Sequence, residues 1–311
     1  MATGAFAPDD PRRALSASNG SNAVATTAPR PAVVHDLWGT ADERSAAGSR
    51  HWWVRGQNFV VGYTLLVAGD PLEITDVPDE HVIVLADDVH GEPVLEVSTE
   101  GAPGQTARVA GQSLVIAPPG TTRVTSTQDV RILRVFSARA ADALSRARNG
   151  ADYAELDEAV TTLPARPSES GPGTLRVHRM SDVADDPHRL GRIFRSDSLL
   201  VNWFAPQVGA RDVDRLSPHV HDAFEQGSVT LRGDYVHHFR TPWTPRLRDW
   251  RSDEHHTTAS PSVALIPPGI VHTTRAVGDG LHVLIDVFAP PREDFLEQSW
   301  VLNDYDYLPA P

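Results

Sequence analysis

The stretch Ala264–Thr274, ALIPPGIVHTT, repeats a pattern that stands earlier in the chain at Val115–Thr125, VIAPPGTTRVT. Each copy has a short apolar run, then Pro-Pro-Gly, then two residues before a polar position. That position is His272 in the later copy and Arg123 in the earlier one. An apolar run that ends in a proline–glycine turn is typical of a β-strand, so the pattern indicates the same strand and turn built twice.

Further segments repeat around this turn in the same order. VVHDL matches RVHRM, FVVGYTLLVAGD matches LLVNWFAPQVGA, and ILRVFSA matches VLIDVFAP. The distance between matched segments stays near the length of a domain, whereas solenoid repeats are much shorter. The chain is therefore predicted to be a tandem duplication of one all-β domain with minor helices.

The division of the chain follows from composition. Residues 1–30 are rich in Ala, Ser, Asn, Thr and Pro and are predicted to be a disordered tail. Strand-length runs separated by turn residues predict a first barrel over 31–140 and a second over 174–311. Between them, 141–173 combines apolar residues at helical spacing with a Pro- and Gly-rich linker.

Charge and composition limit the partners of this chain. A net charge of −13 argues against binding to nucleic acid or to anionic membranes. No apolar stretch has the length of a signal peptide core or a membrane span, which predicts a cytoplasmic protein. Cysteine is absent, so a metal ion must be held by histidine and carboxylate side chains.

One constellation in the second half carries chemistry. In SPHVHDAFEQGSVTLRGDY, Ser217–Tyr235, strand alternation points His219 and His221 the same way. Glu225 follows four residues later and can join them, and His272 stands after the Pro-Pro-Gly turn. If the two strands are neighbours, these side chains converge inside a barrel. Three imidazoles and one carboxylate suit a divalent first-row metal.

His-x-His-x3-Glu followed by Gly233, together with Pro-x-Gly-x2-His, resembles the two signature motifs of the cupin superfamily. Gly233 stands one residue later than the usual pattern, and the Asn often found after the last histidine is missing. With the duplicated turn, the chain resembles a bicupin, which implies two tandem double-stranded β-helix (jelly-roll) barrels. The resemblance implies one divalent metal ion per chain, held by His219, His221, Glu225 and His272.

The first copy lacks this ligand set. Alignment of DEHVIVLADD with FEQGSVTLRGD places Glu80 opposite Glu225, and Ile74 and Asp76 at the positions of the paired histidines. Arg123 stands at the position of the last histidine, and arginine does not ligate metals. The first barrel is therefore predicted to be metal-free and to support the fold of its partner.

The predicted site leaves coordination positions open, which allows Lewis-acid or redox catalysis. We favour a non-haem Fe(II) dioxygenase that acts on a small organic molecule. Mn, Zn or Ni stay open, with a redox-inert isomerase, lyase or decarboxylase of a sugar acid or other oxygenated substrate. In that case Glu225 is either a ligand or the catalytic base. A non-catalytic small-molecule binding protein is the third alternative.

The preference for a dioxygenase depends on aromatic residues that suit an organic substrate in a dry cavity. They are Trp203, Phe204, Phe224, Phe239 and Trp243. Cupins commonly dimerise by strand exchange, and a bicupin can make that contact within one chain. A homodimer and a monomer therefore both stay open.

Overall fold

The computed structural model of the chain describes residues 6, 9–14, 27–87, 92–101, 104–165 and 171–308. Its regular structure is dominated by antiparallel strands in four sheets, of seven, seven, four and three strands. A large and a small sheet form the two walls of each half. This confirms the predicted all-β fold of two tandem cupin-type barrels with minor helices.

The strands that precede the connection between the halves are β1 Val33–Asp36, β2 Glu43–Arg44, β3 Arg50–Arg55, β4 Phe59–Leu66, β5 Leu72–Val77, β6 His81–Leu85, β7 Leu95–Thr99, β8 Gln105–Val109, β9 Ser113–Ala117, β10 Gly120–Ser126 and β11 Val130–Ser137. The strands that follow it are β12 Arg176–Arg179, β13 Arg192–Arg195, β14 Leu200–Trp203, β15 Gln207–Val208, β16 Gln226–Arg232, β17 Asp234–Arg240, β18 Glu254–Ala259, β19 Ser262–Ile266, β20 Val271–Val277 and β21 Leu281–Phe288.

Two strands are exchanged between the halves. The large sheets have the orders β12-β9-β6-β11-β4-β3-β2 and β1-β19-β16-β21-β14-β13. Strand β1 lies antiparallel to β19 in the second half, with Val33 opposite Leu265. Strand β12 lies antiparallel to β9 in the first half, with Arg176 opposite Ile116. The matched segments VVHDL and RVHRM are therefore these two exchanged strands.

The two large sheets pack against each other through a shared apolar core. Trp52 and Val84 of the first sheet and Val201 and Val287 of the second belong to one buried cluster. The opposite face of each large sheet turns towards its own barrel interior, so strands such as β6 and β19 are buried along their whole length. Burial on both faces explains why these strands are apolar runs rather than alternating ones.

Helices are short. The α-helices are α1 Ala141–Arg146 and α2 Glu293–Glu297. The 3-10 helices are Pro11–Ala14, Gly150–Tyr153, Met180–Asp182, Val213–Arg215, Leu247–Asp249 and Asp304–Tyr307. None of the described helices is long and apolar enough to cross a membrane. The tail predicted to be disordered falls largely outside the described residues.

Candidate metal centre

Three of the four predicted ligands converge in the second barrel. His219, in the loop before β16, exchanges both backbone hydrogen bonds with His272 on β20, at 3.0 and 2.8 Å. His221 is held nearby because its carbonyl accepts the N–H of Gly269, in the Pro-Pro-Gly turn. One ligand atom from each imidazole lies within 4.8 Å of the other two. The turn quoted from the sequence therefore positions the cluster.

The environment prepares two of these rings for metal binding. The Nδ1 atoms of His219 and His272 lie 2.9 Å from the carbonyl oxygens of Ser217 and Ile270. Since a carbonyl only accepts, each Nδ1 carries the proton and each Nε2 keeps its lone pair. Burial lowers the pKa of His272 to about 4 and that of His219 well below its usual value. Both rings are neutral at pH 7, as a metal ligand must be.

The third ring, His221, contacts Arg292. The Nη1 of Arg292 lies 3.1 Å from Nδ1 and 3.4 Å from Nε2 of His221. Since a guanidinium only donates, Nδ1 of His221 accepts this hydrogen bond, and Nε2 carries the proton and donates to Oε1 of Gln226 at 2.9 Å. Arg292 is itself paired with Asp294 at 2.5 Å. Both nitrogens of His221 therefore have partners in this structure, and a divalent metal ion held by the three rings would replace one of these contacts.

Glu225 does not join the histidines. Its Oε1 accepts the hydroxyl of Tyr153 at 2.7 Å, and its Oε2 accepts the backbone N–H of Gln57. Gln57 belongs to the first half and Tyr153 to the 3-10 helix of the connection, and Glu225 is buried between them. The predicted convergence of Glu225 with the three histidines is therefore not seen, and its role as a ligand or catalytic base stays a prediction. In this structure it is an anchor between the two barrels.

Gln226 takes the place beside the histidines. Its Oε1 lies 2.9 Å from Nε2 of His221 and 3.3 Å from Nε2 of His272. Gln226 begins β16, and neighbouring residues of a strand face opposite sides, so Glu225 points away. The sequence carried one signal of this register. Gly233 stands one residue further from Glu225 than in the cupin motif, so the spacing of the motif fits Gln226 instead.

Sequence reasoning missed a buried carboxyl, Asp286 on β21. It faces the same cavity as His219 and His272, and its Oδ1 accepts the hydroxyl of Ser228 at 2.8 Å. Burial raises the pKa of Asp286 to about 7, although hydrogen bonds from Ser228 and Gln226 oppose the rise. A carboxyl with this pKa can take up and release a proton near neutral pH.

The cavity in front of the histidines has a volume of about 430 Å³, and both arginines and acids line it. Asp10 pairs with Arg12 and Asp9 with Arg215, which leaves Arg189 and Arg211 as its cationic wall. Arg211 donates to the carbonyl of Thr274 and the hydroxyl of Ser217, and among the described residues it has no ion-pair partner. Part of the N-terminal segment closes one side of the cavity, because Asp10 and Arg12 line it. Arg12 is paired with Asp10 at 2.6 Å.

The aromatic residues that favoured a dioxygenase are dispersed. Phe204 lines the cavity. Trp203 and Phe239 lie in the apolar cores, and Trp243 is 64% exposed on the surface. Phe224 packs at 5.7 Å from the Arg292 guanidinium. One of the five residues therefore contributes to the wall that a substrate meets.

The matched positions of the first barrel differ from their expected roles. Arg123 does not fill a ligand position, because it is half-exposed and paired with Glu73 at 2.5 Å. Glu80 is buried and pairs with Arg176, as Glu225 anchors to the other half. His81 occupies the position that matches Gln226. That the first barrel binds no metal stays a prediction.

The fold is similar to those of several solved proteins of low sequence identity. An oxalate decarboxylase from Lactobacillus farciminis, in a formate complex, superposes with a TM-score of 0.54 at 13% identity, over 88% of this chain and 90% of that one. An IolB-like protein from Salmonella typhimurium gives a TM-score of 0.52 at 13% identity, over 84% and 93%. No protein-family model and no curated protein matches the sequence. At these identities the similarity shows the fold alone.

Proposed function

We propose that the chain is a metal-dependent enzyme that acts on a small organic anion in its second barrel and moves a proton without oxidising the substrate. One observation carries this proposal. The buried carboxyl of Asp286 faces the same cavity as the neutral imidazoles of His219 and His272, with His221 beside them.

The imidazoles of His219, His221 and His272 would hold the ion. A divalent first-row metal bound there supplies a Lewis acid whose double charge the neutral rings do not reduce. The backbone carbonyls of Ser217 and Ile270 support two of the rings by fixing the proton on Nδ1. Such second contacts typically strengthen metal binding.

The cationic wall selects for an anion. Arg211 donates to two carbonyls and a hydroxyl rather than to a carboxylate, so its charge is available to a substrate. Arg189 also lines the cavity and donates to the carbonyls of Gly191 and Ala184. A guanidinium binds a carboxylate with paired, charge-assisted hydrogen bonds. A small carboxylate is therefore the substrate class that this wall recognises.

Asp286 supplies the proton transfer. The hydroxyl of Ser228 donates to its Oδ1 and stabilises the ionised form, while burial favours the protonated form. The balance suits a group that accepts a proton from a substrate and returns it, as an isomerase, a lyase or a decarboxylase requires. The similarity to an oxalate decarboxylase supports this proposal to the extent that the fold accommodates such a reaction.

The Fe(II) dioxygenase is the second candidate. The rings of Phe204 and Phe288 line the small pocket that adjoins His219 and His221, so an apolar part of a substrate finds contacts there. Consumption of oxygen separates the two candidates, because only the dioxygenase requires it.

The experiment has two parts. Metal content is measured in the wild type, in His219→Ala and His272→Ala, and in His255→Ala, an exposed histidine of β18, as the control. We expect about one ion per chain in the wild type and the control, and loss in the other two. Retention of stoichiometric metal in His219→Ala and His272→Ala overturns the site.

The loaded protein is then tested against small carboxylates, sugar acids, catechols and diketones, with and without oxygen. Turnover of a carboxylate without oxygen, reduced at least about 100-fold in Asp286→Asn, supports the proposal. Turnover that requires Fe(II) and consumes oxygen supports the second candidate. Tight binding without turnover of any compound contradicts both.

A further inference from the structure

We propose that the first barrel holds a second ligand site, in which Arg134 binds a small organic carboxylate. Arg134 lies on β11, is 2% exposed and lines a cavity of about 360 Å³ between the large and small sheets of that barrel. The proposal does not depend on the metal centre, which lies in the other barrel.

Arg134 is a buried cation without a carboxylate partner among the described residues. Its Nη2 donates to Oγ1 of Thr64 at 2.8 Å and lies 3.4 Å from Nδ1 of His51. The guanidinium carbon lies 4.2 Å from the ring centroid of Trp53, and Nε has no hydrogen-bond partner. The hydroxyl, imidazole and indole that contact the guanidinium are therefore neutral.

The acids at the mouth of the cavity do not neutralise it. Four acids line the cavity. Glu43 and Asp142 both pair with Arg146, at 2.6 and 2.9 Å, Glu73 pairs with Arg123, and Asp76 is exposed on β5. His51 is neutral, since burial first and the charge of Arg134 second lower its pKa to about 4. A buried charge is costly unless it is paired, and a hydroxyl, an imidazole and an aromatic face offset only part of that cost. An anion in the cavity completes the site.

The walls decide what kind of anion fits. Apart from the charged groups, His51 and Thr75, the cavity is lined by apolar side chains, including Trp53, Leu72, Ile74 and Phe136. Its volume is within the range of small-molecule sites, roughly 300–1,000 Å³. A carboxylate with an aromatic or aliphatic body places its charge on Arg134 and its hydrocarbon part against these walls. A fully hydrated inorganic ion makes no use of them.

The matched strands of the two halves place Asp286 at the position that corresponds to Arg134. Arg134 lies opposite Gly62 on β4, and Asp286 lies opposite Asn202 on β14. Both residues stand two positions before the phenylalanine of the matched segments ILRVFSA and VLIDVFAP. The duplicated interior position therefore carries a cation in the first barrel and an acid in the second.

The test is calorimetric titration of the metal-free protein with benzoate, and with benzyl alcohol as its neutral analogue. We expect benzoate to bind and benzyl alcohol to bind at least about 10-fold more weakly. Arg134→Gln should weaken benzoate at least about 10-fold, whereas Arg123→Gln, an exposed arginine of the same barrel, should not. Arg211→Gln should retain this site, because it changes only the cavity of the second barrel.

Two further variants distinguish loss of the ligand site from a folding defect. Arg134→Met should raise the thermal midpoint without benzoate and remove the stabilisation by benzoate, because it removes an uncompensated charge. Ile74→Phe keeps the charge and fills the cavity, and should also weaken benzoate. Equal binding by wild type and Arg134→Gln, binding lost only in Arg211→Gln, or no binding at millimolar benzoate overturns the proposal. Binding of phosphate or chloride instead of benzoate also overturns the proposal.

Discussion

Replacement of Glu225 distinguishes a metal ligand from an anchor between the barrels. In Glu225→Ala, the hydroxyl of Tyr153 and the backbone N–H of Gln57 lose a buried, charged acceptor. Hydrogen bonds to charged groups contribute about 1.5–3 kcal/mol each, so we expect the free energy of unfolding to fall by about 3–6 kcal/mol. Glu225→Gln should cost less, about 1–3 kcal/mol, because an amide still accepts one of the two bonds.

Urea unfolding, followed by tryptophan fluorescence, measures this loss in the metal-free protein. Glu73→Gln is the control, since Glu73 is exposed and its removal should cost less than about 1 kcal/mol. Titration with Zn²⁺ then gives the second readout. We expect Glu225→Gln to bind Zn²⁺ as the wild type does and His272→Ala to bind at least about 100-fold more weakly. Loss of Zn²⁺ binding in Glu225→Gln with unchanged unfolding would refute the reasoning and restore the carboxylate as a ligand.

Three further predictions address the cavity and the junction. Asp286 should make the metal-free protein less stable as pH rises from about 4 to 7. Its folded pKa, about 7, lies above the ordinary 3.8, so the contribution of about 4 kcal/mol is present at low pH and lost through pH 7. Urea unfolding across this range should show that Asp286→Asn lacks the dependence; an identical slope in both proteins contradicts it. Arg211→Gln should weaken malonate binding to the loaded protein about 10-fold by calorimetry, and Arg248→Gln, exposed at 77%, should not; equal affinities refute the anion wall. Gly227→Ala should lower the free energy of unfolding by about 1–3 kcal/mol, because a Cβ there lies 2.8 Å from the ring of Phe59; an unchanged urea midpoint shows that the ring moves freely.

The fold could be predicted because its signals are local. Apolar runs that end at Pro-Pro-Gly turns, and their recurrence in the same order, are properties of neighbouring residues in the sequence. The partners of strands β1 and β12 are not. The match of VVHDL to RVHRM identifies both as strands, but which sheet each one joins is decided by contacts 60 or more residues away.

The site was predictable to the extent that spacing determines it. Two histidines at alternate positions and one after the turn were enough to identify the cluster of His219, His221 and His272. The carboxylate was not, because a shift of one residue along a strand exchanges the inward and outward faces. Glu225 and Gln226 differ by that single step, and an acid is the more familiar metal ligand.

Charges inside apolar strands were the least predictable part. Asp286 in VLIDVFAP and Arg134 in ILRVFSA are each a lone charged residue between apolar ones. The same pattern occurs on strands that face solvent on one side, where a charge is unremarkable. Only the packing of both faces of the large sheets turns these residues into buried charges that require partners.

The reciprocal position of β1 and β12 has a consequence for the history and handling of the chain. Either half, produced alone, carries a strand that belongs to the other and lacks one of its own, with a row of backbone donors and acceptors left open beside β9 or β19. Such halves should aggregate or recombine with each other rather than persist as independent units. Gene fusion of a strand-swapped pair would give this arrangement directly, and it explains why a half without the histidine cluster cannot simply be discarded. The peptide link also raises the effective concentration of each half for the other, so dissociation by dilution does not separate them.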